Sequence, residues 1–244
     1  MKKIIYYIRH PQLILLRVLA KFGFEKRHRA GFFGLLCKFD LPHSTCVFQV
    51  GASYGQELDY FNYSGVETCI CFEPIPSVFE ELSKKTKLYG WTAFNKALGS
   101  KKRLDKFYLA SNQGISASLL KPGTVTVTYP HITFNDFIDV EVDVGSEYVR
   151  RFASAMVVGT NPVLYLDTQG YELEVLKGFA DELDSFSYVY TEVGLGSGYE
   201  GAVSINKLCT FLFNRGFELL DLTLWGRSGE GDALFAKNTL IAGR

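Results

Sequence analysis

Residues 47–57 read VFQVGASYGQE. An apolar strand signal ends at Val50, Gly51 and Gly55 bracket a tight turn, and a helix opens behind them over about 56–62. Glycines in such a turn let the backbone approach a ligand, and the first N–H groups of the helix are free to meet it. A dinucleotide fingerprint, G-x-G-x-x-G/A, counted from Gly51 requires glycine at 53 and glycine or alanine at 56. Ser53 and Gln56 stand there instead, which disfavours a hydride-transfer enzyme. The looser G-x-x-x-G suits a ligand without a pyrophosphate.

Outward from this turn, strands and helices alternate. Strand signals at 46–50, 67–72, 91–97, 163–167 and 186–193 are separated by helical periodicity at 77–88, 147–155 and 172–179. A helix over 205–215 precedes two final strands, 217–224 and 233–241, around the polar turn 226–232. Residues 104–144 read as irregular and β-rich, with strand signals at 106–110, 124–128 and 140–144. Such alternation predicts an α/β fold with a doubly wound, Rossmann-like, mostly parallel sheet covered on both faces. The short link between the last two strands demands an antiparallel C-terminal hairpin, because a parallel crossover needs about a dozen residues.

The 244 residues, 47% hydrophobic and 15% aromatic, suffice for one well-filled domain with an appendage. We expect an N-terminal helical cap over 1–44 and the main domain over 45–244. Pro11 suits a first helical turn, Leu13, Leu16, Leu19 and Ala20 form an apolar face to about Phe22, and a second short helix covers 32–37. Net charge is zero but unevenly spread. Residues 1–30 carry eight Lys/Arg against Glu25 alone, and the rest carries 18 basic and 25 acidic residues. An acidic body argues against a nucleic-acid partner. The basic segment reads either as part of the cap or as a peripheral contact with an anionic membrane surface. Its apolar stretch is broken by Arg9, His10 and Pro11, unlike a signal peptide, and no run reaches the roughly 18 apolar residues of a membrane span. Five cysteines lack metal-ligand spacing; Cys69 and Cys71 should share one face of a buried strand. This usage points to a reducing, cytoplasmic setting.

Two further motifs stand at strand ends. Glu73 follows the second strand and precedes Pro74, 22 residues after Gly51, where an acid can accept both hydroxyls of a ribose. Residues 163–178 read VLYLDTQGYELEVLKG. Asp167 ends the strand there, Gly170 permits the turn, and ligands gather at such carboxyl ends. Glu172 reads either as a first-turn acid favoured by the helix dipole or as part of the site. Gly178 reads as a C-cap. Of the histidines, only His131, in a loop, has any claim to reach a pocket. No His/Cys/carboxylate cluster has metal spacing, although Asp167 and Glu192 at neighbouring strand ends could share a cation.

In order and spacing these blocks resemble the FkbM family of S-adenosylmethionine-dependent methyltransferases. The family's pattern is a strand leading into DVGAN-x-G-Q, then EP, then DxxGxE (often IDVQGYE) running to E-x-LKG. Here they stand as QVGASYGQ at 49–56, Glu73–Pro74, DTQGYE at 167–172 and EVLKG at 174–178. NKALG at 95–99, NQGISASLL at 112–120 and TFNDF at 133–137 resemble further family elements, and Glu192 matches an acid ending the fifth strand. The resemblance spans about 45–240.

It implies a class I methyltransferase fold with S-adenosylmethionine as cofactor. Gly51, Ala52, Ser53, Gly55 and Gln56 would cradle the methionine part, and Glu73, beside Pro74, would hold the ribose. Asn95, Ala97, Ser116 and Ser118 would neighbour the adenosine or the transfer pocket. Asp167, Glu192 and Glu172 would line the reaction centre, with Asp167 accepting or orienting the acceptor's proton. The reading this favours is methyl transfer to a hydroxyl oxygen of a small molecule or saccharide, with Tyr54, Tyr171 and Tyr199 available for stacking. Three departures stand out: Gln49 in place of an acid, Tyr165 in place of a common lysine, and Asn135 in place of an aspartate. They keep alive the alternative of an inactive S-adenosylmethionine-binding or scaffold module.

Overall fold

The computed structural model describes residues 31–194, 198–225 and 229–241. Helix α1 (Gly31–Lys38) precedes β1 (Cys46–Val50), α2 (Leu58–Tyr63), β2 (Thr68–Phe72), α3 (Pro76–Leu88) and β3 (Thr92–Phe94). Strands β4 (Ala97–Leu98) and β5 (Arg103–Leu109), helix α4 (Val125–Thr128), strand β6 (Asp136–Asp143) and helix α5 (Gly145–Arg151) follow. Then come β7 (Val163–Leu166), α6 (Glu172–Phe179), β8 (Tyr188–Gly194), α7 (Ile205–Phe213), β9 (Phe217–Trp225), β10 (Glu230–Lys237) and α8 (Asn238–Ile241).

Seven strands form the main sheet in the order β3-β2-β1-β7-β8-β10-β9. The first five run parallel, and β10 pairs antiparallel with both β8 and β9. The expected hairpin is therefore present. Strands β1 and β7 are buried along their whole length, which is why CVFQV and VLYL read as near-continuous apolar runs rather than alternating ones. Alternation persists between the two faces. Phe48, Val50, Phe72, Leu164 and Leu166 pack beneath α5, α6 and α7 with Phe179 and Phe186. Val47, Cys69, Cys71, Val163 and Tyr165 pack the other way, with Leu58, Phe61 and Leu82. Phe32, Phe33 and Leu36 of α1 are buried on that second face; the Phe32 ring lies 5.7 Å from Tyr188 and 5.8 Å from Tyr190. Each such ring contributes roughly 1.5–3 kcal/mol of burial.

Strand order changes direction at β1, whose neighbours β2 and β7 lead the chain opposite ways. A crevice opens at such a switch point, outside the carboxyl ends of the strands. A second sheet, β4-β6-β5, stands beside it. Its own core joins Phe107, Val140 and Val142 to Ile75, Val78, Ala97 and Ala117.

Several expected boundaries change. Residues 124–128, read as strand, form the single helical turn α4. The expected strand 91–97 divides at Asn95 into β3 and β4, which belong to different sheets. The last strand ends at Lys237, and 238–241 turn into α8. The expected helix over 11–22 and the basic patch after it lie outside the described residues.

Candidate active site

The crevice is walled by three turns and one loop. After β1, Gly51 (φ +80°) places its backbone against the end of β7; a Cβ there would lie 1.8 Å from the Asp167 carbonyl oxygen. Its N–H and that of Ala52 both donate to the Phe72 carbonyl, at 3.1 and 3.0 Å, so the turn is tied to β2 as well. Ser53 also takes positive φ, and this aims its N–H at Glu73 Oε2, 3.0 Å away. Glu73 Oε1 accepts from the Ile75 N–H at 2.8 Å. A carboxylate has about four acceptor positions, so lone pairs remain for a ligand's donors. Glu73 is only 5% exposed. Burial pushes its pKa up to about 7, against the two backbone bonds, and the charge of Asp167 adds to the rise.

The third turn, 167–172, presents the carboxylates. Gln169 Nε2 donates to Asp167 Oδ1 at 2.8 Å and to Glu192 Oε2 at 2.7 Å. Gln169 holds this bridge from left-handed backbone (φ +54°), a strained state for a non-glycine residue. Burial, and then the neighbouring Asp167, hold the Glu192 carboxyl far above its usual range. The loop 112–120 closes over the turn. Ser118 Oγ donates to the Gln169 carbonyl at 3.1 Å, and the Tyr199 hydroxyl donates to the Ser116 carbonyl at 2.6 Å.

Of the residues expected at the site, Gly51, Ser53, Gln56, Glu73, Pro74, Ala97 and Asp167 line the cleft. The others stand behind it. Ala52 is fully buried, and Gly55 packs on Leu58 and Leu82. The Asn95 amide donates to the Glu73 and Pro74 carbonyls, at 2.9 and 3.0 Å, and so fixes the turn after β2. Ser116 is held by Asn112. Glu192 reaches the cleft through Gln169. Glu172 differs from expectation: it is 2% exposed. Its Oε1 accepts from the Thr168 N–H, the Thr168 hydroxyl and the Gly170 N–H. It therefore holds the turn together from beneath, as a positioning residue. His131 is exposed and absent from the cleft wall. Glu57, Lys96, Phe107, Leu119, Gln169 and Tyr171 line the cleft without having been singled out as cofactor or catalytic residues. Lys96 is ion-paired with Glu141, and the Tyr171 hydroxyl accepts from Arg103 at 2.6 Å. Among the described residues no group of three or more His, Cys, Asp or Glu is placed to hold a metal. No helix among them is long and apolar enough to cross a membrane.

Residues 49–219 match the Methyltransferase FkbM domain. The chain belongs to the FkbM methyltransferase family. Among curated proteins, none matches it. Similar solved structures include Sp1610 of Streptococcus pneumoniae in complex with S-adenosyl-L-methionine, at 8% identity, TM-score 0.47, covering 93% of this chain and 72% of that one. Magnesium protoporphyrin IX methyltransferase from Synechocystis PCC 6803, with the same ligand bound, is 9% identical, with TM-score 0.45 and coverages of 94% and 81%. Ribosomal protein L11 methylase from Lactobacillus delbrueckii subsp. bulgaricus is 9% identical, with TM-score 0.43 and coverages of 93% and 78%. The assignment rests on the match over 49–219.

As an FkbM methyltransferase, the chain uses S-adenosylmethionine, and its cleft fits that group. The Gly51 turn leaves backbone exposed where any side chain would strike Asp167. Ser53 and Ile75 orient Glu73 with acceptor capacity to spare. Gly51, Ser53 and Gln56 would hold its amino-acid end and Glu73 its ribose, and the group supplies an activated methyl when bound.

Proposed function

We propose that this FkbM methyltransferase transfers methyl to a hydroxyl oxygen of a small molecule or saccharide. The observation that carries the reading is the carboxylate pair, Asp167 and Glu192, bridged by Gln169 Nε2 at 2.8 and 2.7 Å. Burial and the neighbouring Asp167 hold the Glu192 carboxyl well above its usual range, which favours its protonated form beside Asp167. Asp167 is the member of the pair that lines the cleft and so stands where an acceptor would meet it. A hydroxyl is weakly acidic, and it loses its proton as its oxygen attacks; a positioned carboxylate contributes most at that moment. A neutral amine attacks through a lone pair it already has, so a fixed base contributes less there.

Positioning is the protein's other task. Tyr171 in the cleft wall presents a ring whose hydroxyl is pinned by Arg103. Tyr199, expected to stack on an acceptor, is instead 6% exposed and absent from the cleft wall, and it anchors the loop over the carboxylates. A sugar ring can stack on the Tyr171 face. Tyr54 is packed against the second sheet's core and contributes shape instead.

The test is incubation with methyl-labelled S-adenosylmethionine and paired panels of free sugars, polyols and phenols against matched amines. The expected product is an O-methyl ether. Asp167→Asn should lower turnover by about 10²–10⁴-fold while cofactor affinity stays within about twofold. Label found only on nitrogen, or full turnover by D167N, would overturn the reading.

A further inference from the structure

The departures at 49 and 165 stand far apart in sequence, but the register makes them one change. Gln49 is the direct partner of Tyr165 across the parallel β1–β7 pair. Both point to the sheet face that also buries Val47 and Val163. An acid at 49 and a lysine at 165 would therefore lie side by side and compensate each other. This chain lacks both, and the two positions are 1% and 6% exposed. An acid restored at 49 alone would be a buried charge without its neighbouring cation.

The negative charge has not left the region. Glu57, eight residues on at the start of the helix after the glycine turn, stands in the cleft wall and is 7% exposed. Its Oε2 accepts from Gln49 Nε2 at 3.0 Å. Gln49 Oε1 lies on the other side, 4.0 Å from Cys71 Sγ, so the amide turns its donor toward the carboxylate. We propose that Glu57 is the residue that meets the cationic amino group of the cofactor's amino-acid end. The acid's task has moved from position 49 to position 57, and Gln49 has become the donor that orients it. The cleft keeps its charge, and the strand pair stays neutral.

The experiment is calorimetric titration of the full chain with S-adenosylhomocysteine and with 5′-methylthioadenosine, which lacks the amino-acid end. Wild type should bind both. Glu57→Gln should weaken S-adenosylhomocysteine by roughly tenfold or more, as expected for loss of one charge-assisted bond, and leave 5′-methylthioadenosine within twofold. The second binding is also the check that the variant is folded. Unchanged S-adenosylhomocysteine binding by E57Q, or equal loss of both ligands, overturns the proposal. Failure of wild type to bind either ligand would overturn it together with the cofactor assignment.

Discussion

At Glu73 the burial that places its carboxyl in the cleft wall also sets a pH dependence. Its carboxyl is held at about 7 when folded, against an ordinary value of 4.5. Between those values the folded state keeps a proton that the unfolded state has released. Stability is therefore fullest below pH 4.5 as far as this group is concerned, and falls as pH rises toward 7, by up to about 3 kcal/mol. Glu73→Gln should flatten thermal melts across pH 4.5–7. Some slope should survive, since burial also raises Glu172 and Glu192. Cofactor affinity runs the other way. Ribose hydroxyls donate to the ionised form, so titrations of wild type should tighten as pH climbs through 7, and a flat profile would count against Glu73 as the ribose ligand. Gly51, Ser53, Glu73 and Asp167 were legible in the sequence because each sits at a strand end inside a spaced motif. Glu57 was not, because only the Gln49 bond and the cleft wall single it out from other first-turn acids. Phe107 comes from the second sheet and Lys96 from the link that enters it, and that sheet's placement beside the first is a tertiary fact with no local signal.

The turn between β7 and α6 depends on Glu172 as a buried staple. Three donors converge on one oxygen, so Glu172→Ala removes three hydrogen bonds at once. Each contributes about 0.5–1.5 kcal/mol net, and urea unfolding should show a loss of roughly 2–4 kcal/mol. Glu172→Gln keeps an oxygen in place and should lose less than half as much; equal losses would mean the hydrogen bonds are not what holds the turn. The strands themselves were readable from apolar runs and their spacing, and the exceptions have local causes. Residues 124–128 carry the β-branched composition of a strand, yet Val127 is 77% exposed and has no sheet to join. Thr126 and Thr128 instead return their hydroxyls to the carbonyls of Gly123 and Thr124, a pattern compatible with a helical turn. The third strand breaks at Asn95 because its amide is engaged by the Glu73–Pro74 turn, which frees β4 to pair with β6.

Over the whole molecule, charge is spread unevenly along the sequence. The chain is neutral overall, but eight basic residues lie within 1–30, and the remainder is acidic by seven. An anionic bilayer attracts clustered basic side chains by about 1 kcal/mol each near its surface, within a Debye length of about 8 Å at physiological salt. The same surface repels the acidic body, so contact should be made through the first thirty residues alone. We expect the full chain to float with vesicles containing phosphatidylserine and not with neutral phosphatidylcholine vesicles. Deleting residues 1–29 should abolish flotation, because it removes every one of those basic side chains and leaves Gly31–Lys38 seated on the sheet. Raising salt to 0.5 M should release the full chain, since screening weakens this attraction and leaves apolar burial in place. Flotation that survives the deletion would place the contact on the acidic body, against its charge. Flotation that survives only the salt would mean that the apolar side chains at Leu13, Leu16 and Leu19, not the basic ones, make the contact.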